Sequence, residues 1–249
     1  DALRSEALWQ VLQSTRFGLL WLVRMGLWML LGLALWPAPQ RPALYAFALV
    51  LGAALLATQS LYSHAAAAQE RAVALLADWV HLLLTGLWLG GLLPFVVVIG
   101  ALRRDIPVVT PVISRLVGYF SNYARLCVAG LMITGLYAGW LQVGSWAALT
   151  TTRYGTVFLV KLLLILPLLL LGAVNLLITQ RRLGAGQTLW VGRLRSLLGA
   201  ELVLGVAVLG AVGVMTAINP ARNELQQREI AAAVPLPPTP DPFTELQMV

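Results

Sequence analysis

SHAAAAQERAVALLADWVHLLLTGLWLGGLLP occupies Ser63–Pro94. A short loop carries His64, one of only two histidines in the chain, and a long apolar helix follows. From Ala72 to Ile99 that helix exceeds the roughly 20 apolar residues needed to cross a bilayer. Asp78, His81, Thr85 and Trp88 recur on it at helical spacing. At 100° per residue their side chains fall within an arc of roughly 80°. An acid and an imidazole inside a lipid-length segment cost several kcal/mol unless they face protein, water or a ligand. Such a stripe reads as a functional site by default.

The rest of the chain agrees with a membrane setting. Its 249 residues are 59% hydrophobic and only 11% charged, with a mean hydropathy of +0.83. A soluble domain carries about 25% charged residues, so an all-α integral membrane protein is expected. The net charge of +7 does not indicate nucleic acid, because the arginines cluster in short loops where they set orientation. One cysteine, Cys127, excludes an internal disulfide and any CxxC metal site. No Walker motif, nucleophile elbow or HExxH is present. No catalytic residue is assigned, and this chain alone does not read as an enzyme or an ATP-driven pump.

Six spans are expected near Phe17–Trp36, Ala43–Tyr62, Ala72–Ile99, Leu116–Leu141, Gly155–Gln180 and Leu194–Ala217. They form a six-transmembrane-helix bundle over residues 17–217. Residues 1–16 place Leu3, Ala7, Leu8 and Leu12 on one face, predicting a short N-terminal amphipathic helix on the membrane surface. Residues 218–249 turn polar and then proline-rich, predicting a linker or tail. The start at Asp1 and the abrupt proline-rich end lead us to expect further sequence at both termini. The connectors after spans one, three and five carry Arg41, Arg103, Arg104, Arg115, Arg181, Arg182, Arg193 and Arg195. Those after spans two and four carry Arg71 and Arg153. The asymmetry makes the first set cytoplasmic. Both termini, and His64, are then extracytoplasmic.

Counting along the helices at 1.5 Å per residue gives depth. Asp78 and Lys161 each lie roughly 9 Å in from the outer side, and His81 roughly 14 Å in. An Asp78–Lys161 pair at matched depth would neutralise both ions. Arg125 and Glu201, nearer the cytoplasmic side, are expected to form a structural ion pair in the same way. Imidazole and carboxylate suit Cu(II), Zn or Ni, whereas Cu(I) favours sulfur. Met25 and Met29 in span one and Met215 in span six are candidate soft donors, although core packing explains methionines as well. Trp36, Trp140 and Trp146 read as interfacial anchors.

Four blocks resemble a known family. HAAAAQERAVALLADWVHLLLTGLWLGGL is similar to the copper resistance protein D (CopD) family, in which an outer-loop histidine precedes a D-x-x-H helix ending in W-x-G-G. STRFGLLWLVRMGL, YFSNYARLCVAGLMITGL and RYGTVFLVKLLLILPLLLLGAVNLL resemble three further spans of that family, in the same order. The resemblance implies a bacterial inner-membrane protein for copper uptake or homeostasis. It makes His64 and His81 candidate copper ligands, with Asp78 assisting and Lys161, Met25, Met215 and Trp88 in support. It also implies a periplasmic copper carrier, or a fused extracytoplasmic domain, as partner.

Copper transport or delivery across or at the inner membrane, with capture at the outer face, is the leading expectation. One alternative is a haem-binding membrane protein, which the different depths of His64 and His81 disfavour. Another is a non-catalytic scaffold subunit of a larger membrane complex.

Overall fold

The computed structural model describes residues 5–36, 41–67, 70–102 and 106–233. Among them there are helices and no strands. Six helical stretches are long and apolar enough to cross a membrane, as the sequence predicts.

α1 (Ser5–Ser14) precedes the first spanning helix, α2 (Arg16–Leu35), where the sequence predicts a short amphipathic helix. Thr15 caps α2 by accepting the Gly18 N–H at 3.0 Å. α3 (Pro42–Ser60) opens on a proline whose missing N–H costs nothing in the first turn. A single 3₁₀ turn, His64–Ala67, then leads to α4 (Arg71–Ala101). α5 (Ile106–Val143) is followed by the short α6 (Trp146–Thr151) and by α7 (Arg153–Val174). Gly144, at φ 75°, closes α5 in the left-handed conformation that favours glycine. Thr152 caps α7 by accepting the Gly155 N–H at 3.0 Å. α7 runs through a turn of π-helix, Asn175–Thr179, into α8 (Gln180–Gly184). α9 (Leu189–Thr216) is the last spanning helix.

α4 is the hub of the bundle. It packs against α3, α5 and α9, while α2 packs on α3 and α7 on α9. One apolar core joins Leu92 and Ile99 of α4 to Ile113 and Val117 of α5 and to Leu194 and Leu198 of α9. Phe95 and Phe120 stack across α4 and α5 with centroids 4.6 Å apart. Outward-facing apolar residues stay uncovered, among them Ile133 (72% exposed), Leu136 (71%) and Leu170 (66%). That face suits hydrocarbon, where every backbone group is satisfied within its own helix.

The tail departs from the expected linker. Residues Ala221–Ala233 form α10, which packs against α5, α6 and α7. Its alanines favour helix, Pro220 leads into it, and Arg228 bonds Glu224 at 2.5 Å one turn away. Ala221 is fully buried, and Leu225 lies against a core of Val143, Ala148, Tyr154 and Met215. The proline-rich part of the tail lies outside the described residues.

Candidate functional site: a polar vestibule at the start of the third span

The stripe read on α4 meets partners from two neighbouring helices, α3 and α5. Asp78 is half-buried. Its Oδ2 accepts the Ser60 hydroxyl from the end of α3 at 2.7 Å. One turn further along α4, His81 Nδ1 is 2.8 Å from Thr134 Oγ1 on α5. The Thr134 hydroxyl has one hydrogen, which it donates to the Gly130 carbonyl at 2.8 Å. With its hydrogen on that carbonyl, the oxygen can accept from His81 when the ring carries its hydrogen on Nδ1. Nε2 then keeps its lone pair, with no hydrogen-bond partner among the described residues. An imidazole held this way through one nitrogen is oriented to bind a metal through the other.

Glycine makes the approach possible. A Cβ on Gly135 would stand 3.3 Å from His81 Cε1, so the ring lies against the bare backbone of α5. Thr85, the next member of the stripe, turns its hydroxyl back onto the His81 carbonyl at 2.8 Å. It is a helix-internal bond to the backbone of α4.

Groups of both charge types lie around the ring. Asp78 and Lys161 of α7 both act on His81 at Coulombic range. The expected direct Asp78–Lys161 ion pair is not formed: among the described residues the ion pair within 4.0 Å is Arg228–Glu224. The reason is topological. α4 packs on α3, α5 and α9, while α7 packs chiefly on α9. Equal depth therefore does not bring Asp78 and Lys161 into contact.

Beside the vestibule, Arg24 of α2 is anchored between helices. Its Nε donates to Thr58 Oγ1 at 3.2 Å, and its guanidinium lies 5.1 Å from the Tyr62 ring centroid. The Tyr62 hydroxyl in turn donates to the Phe17 carbonyl at 2.7 Å.

The remaining candidates fall elsewhere. The His64 side chain lies outside the described residues; its backbone opens the 3₁₀ turn before α4. Met25 and Met29 lie on exposed faces of α2, and Met215 is core filler, 7% exposed among Val143, Ala148 and Tyr154. Trp88, on the same stripe as His81, lines a cavity of about 320 Å³ deeper in the bundle, together with Arg125 and Glu201. Those two do not form the expected ion pair. Arg125 donates to Asn122 on its own helix, and Glu201 accepts from Asn175 Nδ2 at 2.6 Å. Among the described residues no three His, Cys, Asp or Glu side chains converge to hold a metal. His81, with Asp78, is thus the described part of the candidate site. Thr134, Ser60 and Gly135 are the residues that sequence reasoning missed. Each is a small residue in an apolar helix, and only the contact across helices distinguishes it.

The chain matches the family model described as copper resistance protein D over residues 114–215. It also matches the one described as copper resistance protein D-like, N-terminal domain, over residues 1–74. It is 29% identical over 249 residues to copper transport protein CutJ of Bacillus subtilis (strain 168), covering 96% of this chain and 41% of that relative. The chain thus spans less than half the length of the curated relative it matches. No solved structure matches it. The two matches, lying over a bundle of six membrane-length helices, agree with the four sequence blocks: the chain is a membrane protein similar to the copper resistance protein D family.

Proposed function

We propose that the chain takes up copper at the outer face of the bacterial cytoplasmic membrane and passes it across or along the bundle. The observation that carries this reading is the His81 ring, whose Nδ1 is engaged by Thr134 while its Nε2 has no hydrogen-bond partner among the described residues. The family likeness and the name of the CutJ relative support copper as the cation it binds. His64, on the loop that precedes α4, supplies a second imidazole, and Asp78 assists. Asp78 and Lys161 offset one another, so the vestibule accepts a cation without starting from a net positive charge. The arginine asymmetry supports extracytoplasmic termini, which would bring a periplasmic carrier or a fused domain to the same face as His64.

Copper content of the protein in membranes, at equal folded protein, tests the reading. Wild type is expected to bind copper, and His64→Ala and His81→Ala each to bind less. Equal copper in all three removes the ligand assignment. A Soret band in the purified protein would replace copper with haem.

A further inference from the structure

Deeper in the bundle a second polar cluster stands apart from His81. Glu201 of α9 is 4% exposed and Asn175, where α7 gives way to the π-turn, is 5% exposed. Both line the cavity of about 320 Å³, whose other walls are mostly apolar. Asn175 Nδ2 donates to Glu201 Oε1 at 2.6 Å, yet the buried Asn175 Oδ1 has no donor. Glu201 has no cation within 4.0 Å among the described residues. A buried carboxylate without a counter-ion and a buried acceptor without a donor are each costly. A carboxylate only accepts, so it cannot serve that amide oxygen. A carboxylic acid can. Its O–H donates to the amide oxygen while the amide N–H donates to its other oxygen, and the two groups close into a cyclic pair. One hydrogen removes both deficits. The π-turn that begins at Asn175 is a feature frequent at functional sites.

The neighbouring charges leave Glu201 alone with Asn175 and Arg125. α9 packs against α4, α5, α7, the π-turn and α8. Of their charged groups, Arg125 of α5 lines the same cavity. Tyr123 and Cys127 of α5 do not line it, Arg181 and Arg182 of α8 are exposed, and Arg195 of α9 is bonded to the end of α4. Asp78, His81 and Lys161 belong to the vestibule; Lys161 is roughly 21 Å along its helix from Asn175.

We propose that Glu201, paired with Asn175, is a proton-binding site in the membrane interior, and that its protonation is coupled to copper movement. Water on one side supplies the proton and water on the other receives it. Glu201 alternates between an acid paired with Asn175 and a carboxylate facing Arg125 across the cavity. The coupling rests on the copper reading, whereas the proton site does not.

Infrared difference spectroscopy of the protein in lipid, stepped in pH, tests the site directly. A protonated-carboxyl C=O band that shifts in D2O is expected in wild type. It should be absent in Glu201→Gln and moved to higher frequency in Asn175→Leu. A wild-type spectrum with no band removed by Glu201→Gln overturns the proposal. If Glu201→Gln does not fold, ¹³C-carboxyl glutamate assigns the band in wild type, and a band unmoved by Asn175→Leu overturns the proposal instead. Copper uptake into proteoliposomes tests the coupling. An imposed pH gradient should change wild-type flux several-fold and leave the residual flux of Glu201→Gln unchanged. Wild-type flux indifferent to the gradient overturns the coupling. Vesicles that move no copper under any gradient count against the copper reading alone, and the infrared band then decides the proton site.

Discussion

Thr134 gives His81 what the stripe on α4 cannot supply by itself: an oxygen 2.8 Å from Nδ1 that can hold the tautomer in which Nε2 is free. Replacing Thr134 by Val removes the acceptor that holds the Nδ1 hydrogen, and the loss of such an outer-shell partner lowers metal affinity by about 10-fold or more. Thr134→Ser keeps the oxygen and is expected to bind copper like wild type. Competition against a copper chelator reads both. The stripe itself was legible, because Asp78 and His81 are rare residue types at helical spacing in an apolar run. Thr134 was not, because a threonine in a span is unremarkable until the helix it faces is known. The same limit explains the two ion pairs that did not form. Residue counting gives height along a helix but not the direction in which a side chain points. Ser60 therefore holds Asp78, and Asn175 holds Glu201, where counting at equal depth favoured Lys161 and Arg125.

At the scale of elements, the six spans were readable from hydropathy, while the caps that open α2 and α7, Thr15 and Thr152, are seen only in the structure. The π-turn and α10 were not. One extra residue in a helical turn leaves no mark on an apolar sequence, and α10 is polar enough to pass for linker. Two joints carry predictions. A Cβ on Gly155 would collide with backbone carbonyls of Ala148 and Leu149. Since backbone has little room to yield, Gly155→Ala is expected to destabilise the α6–α7 corner by about 1–3 kcal/mol, read as a lower thermal midpoint in detergent. Arg195 donates to the Ile99 and Leu102 carbonyls at 3.1 and 2.8 Å, closing the end of α4 from α9. Sequence reading counted this arginine only as a topology signal. Arg195→Met removes both charge-assisted bonds and is expected to cost about 2–3 kcal/mol. The same thermal measurement checks it, with Arg193→Met, whose guanidinium lies over Trp190, as the milder comparison.

For the whole molecule, the bundle gathers its polar groups at two levels, joined by α4. His81 and Asp78 lie toward the end that bears the His64 turn, while Trp88 of the same stripe reaches the cavity with Glu201. The proposed entry site on α4 and the proposed inner acid on α9, linked by Trp88 of the hub helix, suit passage of a cation better than a scaffold role. The proposed orientation rests on the arginine asymmetry: if it holds, Ser63→Cys reacts with a membrane-impermeant thiol reagent from outside intact cells. Gln187→Cys is expected to react only after lysis, and buried Cys127 keeps the background low. Underlying all of this is the statement that His81 binds copper through Nε2. Copper K-edge X-ray absorption on the lipid-embedded protein, loaded with one equivalent of copper, measures it directly. Imidazole scattering in wild type that weakens by one ring in folded His81→Ala is the predicted result; identical spectra for the two proteins would contradict it.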